Sequence, residues 1–267
     1  MEVGTIAPAV NPTSLPISPR EPPLLVYYRK GGISGILESL VVYPNGMGIH
    51  RREGEEARGE VSRETISALE MVLNLISRRG FSETSPRFGA VDFLHHEVIY
   101  PRRGERFAWV DEWASEMKLP GEVRALGKLL DYTISVVRGA GWVNMEEIST
   151  AYMRMKASLN GLVVTDGVTL TLRVSVACPS GVAVSYIPQT PDSPDVEVES
   201  DMGISVKFQR VEGRVIEERR RKLLPGRELR VEASVVLKDV DEGLHWLSIR
   251  FPPRTPSVEV SLPLLIV

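Results

Sequence analysis

The chain has 267 residues, 43% hydrophobic and 25% charged, with 32 basic side chains against 35 acidic ones and a net charge of -3. This balance suits one large or two ordinary folded domains and excludes disorder over the whole length. It also denies the chain the strongly basic surface that broad nucleic-acid binding needs.

Residues 1–23 hold six prolines, Pro8, Pro12, Pro16, Pro19, Pro22 and Pro23. Their missing backbone donors forbid a regular helix, which predicts an extended Pro-rich tail. Strands are expected over 24–29 (LLVYYR), 36–44 and 47–52, with the glycine-rich turn KGGISG (30–35) and Asn45-Gly46 between them. The polar stretch EGEEARGE (53–60) reads as a loop. A helix follows, opened by Ser62 as N-cap, periodic at Ile66, Leu69, Leu73 and Ile76, and closed by Gly80. Residues 82–90 read as a loop, 91–100 and 106–113 as strands, and a second helix starts near Pro120. The order implies helices packed on an antiparallel sheet.

Residues 139–150 read as a linker, with capping-box spacing between Asn144 and Glu147 that predicts one helical turn. After Met153 the hydrophobic period becomes two, for example at Leu170, Leu172, Val174 and Val176, and at Leu247, Ile249 and Phe251. The expected fold is an α+β N-terminal domain over 24–138 (antiparallel sheet with two packed helices), followed by an all-β immunoglobulin-like sandwich over 151–267.

Few constellations suggest chemistry. Cys178 is the single cysteine, so an internal disulfide and a multi-cysteine metal site are unavailable. His95 and Glu97 share one face of a strand and His96 takes the other, too few ligands for zinc. Asp111 and Glu112 diverge and read as solvated edge residues. KGGISG lacks the spacing of a phosphate-binding loop, and a strand rather than a helix follows it. EERRRK (217–222) reads as an exposed strand or turn whose charges discourage edge pairing. His245 is expected at the rim of the second core, and Cys178 as a small buried strand-end residue. No cofactor, metal or catalytic group is expected. With no long apolar run and no secretory pattern at the N-terminus, the expected location is cytoplasmic, without a membrane span.

Tyr28-Arg29-Lys30-Gly31-Gly32-Ile33-Ser34-Gly35-Ile36 resembles the R-S-G-G-[IF]-A-G-[IL] opening of emfourin-like proteins. These are small prokaryotic inhibitors of protealysin-type, thermolysin-like metalloproteases. The similar order of hairpin, helix, second hairpin and Pro-started helix extends it over residues 24–138. Lys30 and Ser34 depart from the usual Ser and Ala. The resemblance implies a non-catalytic protein-binding module, with a thermolysin-like protease as partner and Arg29, Gly31, Gly32, Ile33 and Gly35 as the surface. The alternatives are a scaffold subunit docking through the β-sandwich, and an enzyme with a site between the domains.

Overall fold

A computed structural model describes residues 21–150, 153–178, 183–186, 195–201, 203–217, 220–252 and 257–267. Most of the Pro-rich tail lies outside these residues.

The first region is built on β1 (Leu25–Gly31), β2 (Ile36–Val42), β3 (Met47–Arg52), β4 (Glu55–Glu60), β5 (Leu94–Tyr100) and β6 (Glu105–Val110). They form an antiparallel sheet in the order β4-β3-β2-β1-β5-β6. Helices α1 (Arg63–Arg79) and α2 (Gly121–Val137) cover one face. Their apolar stripes bury Leu69, Leu73, Ile76, Leu126, Leu130 and Ile134 against Tyr27, Leu40 and Val98. Ser62 accepts from the Thr65 N–H, and Gly80 closes α1 in the left-handed conformation, as expected.

The stretch 53–60 is a strand rather than a loop. Ala57 and Gly59 turn toward the helices, Gly59 close against Val137, while Arg58 and Arg51 both hydrogen-bond Glu56 on the outside. An edge strand carries charge to prevent further pairing, so it lacks the apolar alternation that reveals interior strands.

The β-rich region contains β7 (Asn144–Ser149), β8 (Arg154–Leu159), β9 (Val163–Val164), β10 (Thr169–Ala177), β11 (Val184–Tyr186), β12 (Glu197–Ser200) and β13 (Ile204–Glu212). It continues with β14 (Val215–Glu217), β15 (Arg220–Leu223), β16 (Glu228–Leu237), β17 (Gly243–Phe251) and β18 (Val258–Ile266). Among the described residues these make three sheets, β13-β16-β10-β8-β7, β11-β15-β14 and β12-β17-β18-β9. Inward residues of all three share one core, including Leu172, Val231, Leu223, Ile249 and Leu262. Cys178 is buried in it and burial raises its thiol pKa.

Two expectations are corrected here. Asn144 starts a strand, not a helical turn. Its buried side-chain amide donates to the Gly161 and Pro263 carbonyls, so it clamps strands together instead of capping a helix. The basic run at 217–222 is not wholly exposed. Arg221 is buried and pairs with Asp195, which also receives Arg214 and the Tyr186 hydroxyl. His245 does sit at the rim, with Nε2 2.9 Å from the Asp241 carbonyl.

The two regions pack against each other. Leu162 and Leu265 belong to the core under the first sheet, and Trp246 lies against the first turn of α2 at Gly121. No helix among the described residues is long and apolar enough to cross a membrane.

Candidate docking site

The motif residues gather at one end of the first sheet. Alternation along β1 turns Tyr27 and Arg29 toward the helices and Tyr28 and Lys30 outward. In register, Arg29 stands between Glu38 on β2 and His96 on β5. Two buried polar networks result.

In the first network, Arg29 Nε donates to Glu38 (2.7 Å) and Nη1 donates to Asp131 on α2 (2.9 Å). The other Glu38 oxygen lies 2.8 Å from His50 Nε2. Glu38 is only 2% exposed. Burial by itself would raise its pKa, yet the His50 and Arg29 hydrogen bonds hold it below the usual carboxylate range. The Asp131 limb reaches solvent and is screened, so the Glu38 limb supplies most of the fastening.

In the second network, the Tyr27 hydroxyl and His96 Nδ1 are 2.8 Å apart, and His96 Nε2 is 3.3 Å from Asp111 Oδ1. Asp111 Oδ2 accepts the Leu94 N–H at 2.8 Å. Burial opposes ionisation of Asp111, but His96 and that N–H keep its pKa lowered. His96 stacks parallel on Trp109, centroids 5.1 Å apart. Tyr27 is 1% exposed, and the Tyr-His-Asp chain runs from it to the partly exposed Asp111. It fastens β1, β5 and the segment after β6. Asp111 is therefore a bonded strut at the surface rather than a free edge residue. His96 lies on the face opposite His95 and Glu97, as expected.

Above these struts is the hairpin end. Gly31 has φ +115, and an added Cβ would lie 2.5 Å from the Phe93 carbonyl. That close approach lets the Gly32 N–H reach the same carbonyl at 3.2 Å, while the Gly35 N–H closes the turn on the Gly32 carbonyl. Ile33 stands at the tip and is 91% exposed. Loop 87–92 is tied to the segment after β6 through the Arg87 N–H to Ala114 carbonyl bond, and its Asp92 approaches Gly32. It leaves Phe88 and Val91 exposed, and Trp113, Met117 and Leu37 are exposed as well.

The sequence thus places Gly31, Gly32, Ile33 and Gly35 together at the surface. Arg29 differs: its guanidinium turns inward and positions the hairpin from below. Trp109 is buried on β6, whereas Trp113 lies past the strand end and is exposed. Val91 and Trp113 fall in the stretches 91–100 and 106–113 read as strands, but the strands are Leu94–Tyr100 and Glu105–Val110, which leaves both residues in exposed loops. Phe88 escaped the sequence reading because a single apolar residue in a loop carries no period, its one cue being its place between Pro86 and Gly89.

Among the described residues no three His, Cys, Asp or Glu side chains are grouped to hold a metal ion. The arrangement offers shape and apolar area, held rigidly.

No family model matches the chain, and no curated protein matches it either. Among solved structures it is similar to a family 123 glycoside hydrolase from Clostridium perfringens, described for the details of glycolipid glycan hydrolysis. The identity is 10%, the TM-score 0.26, and the match covers 39% of this chain and 22% of that one. The chain therefore spans under a quarter of that relative's length, and so slight a likeness carries no argument about activity.

Proposed function

We propose that the chain is a non-catalytic, cytoplasmic protein-binding protein. Residues 24–138 act as an emfourin-like module that presents the β1–β2 hairpin end to a partner of the thermolysin-like metalloprotease class. The β-rich region is an immunoglobulin-like sandwich that serves as its rigid mount. The observation that carries this reading is Ile33, almost fully exposed on a turn whose base is bonded on both sides. A preordered apolar tip loses little entropy on docking, and exposed neighbours from two other segments widen the contact.

The test is titration of a thermolysin-like protease with the full chain, read by residual activity and by calorimetry. Burying one isoleucine is worth about 1.5–3 kcal/mol, so Ile33→Asp should weaken the complex by about ten- to a hundredfold. The reading fails if wild type forms no complex, or if Ile33→Asp binds as tightly as wild type.

A further inference from the structure

The junction of the two regions carries a second, independent feature. A cleft of about 370 Å³ opens there, lined among others by Glu112, Lys118, Arg124, Glu146, Glu147 and Glu259. Most of its carboxylates are committed. Glu146 pairs with Lys128, Glu147 with Arg154, and Glu259 with Arg250. Arg124 is not. Its guanidinium carbon lies 4.8 Å from the centroid of the Trp246 ring, and its Nε is buried without a hydrogen-bond partner. Among the described residues no carboxylate comes within 4 Å of it, and Lys118 likewise has no ion pair.

A buried guanidinium donor left unmatched costs free energy unless a ligand or water completes it. The Trp246 ring under the guanidinium holds the fork at the cleft, and a guanidinium fork is the group that receives a carboxylate through two parallel hydrogen bonds. The surrounding glutamates repel a doubly charged phosphate more than a singly charged carboxylate. We propose that this cleft binds a small monocarboxylate, paired with the Arg124 guanidinium over Trp246 and with its charge balanced by Lys118.

The experiment uses the full chain, with benzoate as probe and inorganic phosphate as the second arm. Binding is read by calorimetry and by the Trp246 indole N–H resonance. Benzoate should shift that resonance saturably. Arg124→Gln should weaken binding by at least about tenfold, and Arg124→Lys, which keeps charge without the fork, by less. Ile33→Asp should leave it unchanged, which separates this site from the hairpin end. The proposal is overturned by no saturable shift, by equal affinity in Arg124→Gln and wild type, or by phosphate binding more tightly than benzoate. Should Arg124→Gln fail to fold, Arg124→Lys decides: affinity equal to wild type overturns the fork argument.

Discussion

Replacing Gly31 by alanine tests the docking-site geometry most directly. Two separate costs arise. At φ +115 an L-residue is strained by about 1–2 kcal/mol. The new Cβ would also lie 2.5 Å from the Phe93 carbonyl oxygen, a backbone atom of the neighbouring segment that cannot rotate aside. Relieving this means separating the end of β1 from β5 and losing the Gly32 N–H to Phe93 hydrogen bond, worth about 0.5–1.5 kcal/mol. The expected loss is about 2–4 kcal/mol, the sum of strain, clash relief and the lost bond. Gly35 is the internal control. It has φ +60, yet an added Cβ would meet nothing within 4 Å, so Gly35→Ala should cost only the left-handed strain, about 1–2 kcal/mol. Urea unfolding with an unchanged m-value measures both. The reasoning is refuted if Gly31→Ala lies within about 0.5 kcal/mol of wild type, the noise of a neutral surface change, or costs no more than Gly35→Ala.

Three further outcomes follow from the buried groups. Asp195→Ala removes the buried carboxylate that Arg221, Arg214 and the Tyr186 hydroxyl share and should destabilise by about 3–5 kcal/mol in urea unfolding. Glu38 and Asp111 have folded-state pKa values below their ordinary ones. Their contribution is thus full above the unfolded values of about 4 and is lost as pH falls through the folded ones. The urea midpoint should fall more steeply below about pH 4.5 than between about pH 7 and 5, and less steeply in Glu38→Gln. Leu265→Ala should cost about 2–5 kcal/mol and lower amide-exchange protection in α1. Unchanged α1 protection would show that the first core does not depend on β18.

Legibility followed periodicity. α1 could be read from Ser62 to Gly80 because cap, stripe and left-handed stop agree in one window. The interior strands β10, β16 and β17 could be read because each buries one face. β4 and β7 could not, since an edge strand hides its period under charge and Asn144 serves a distant carbonyl. The hairpin turn was visible through its glycines. The struts beneath it were not, because Glu38 and His50, or Tyr27 and His96, meet only when the strands pair. Arg29 shows the limit most clearly. Sequence marks it as part of the motif, and only its parity on β1 reveals that it turns inward.

The shared core also bears on how the polypeptide matures. Leu24 and Leu265 lie in one hydrophobic cluster, although nearly the whole 267-residue chain separates them in sequence. A ribosome delivers them far apart in time. The helices of the first region therefore emerge before the leucine that seals their underside, and their final consolidation waits on β18 pairing with β17 and β9.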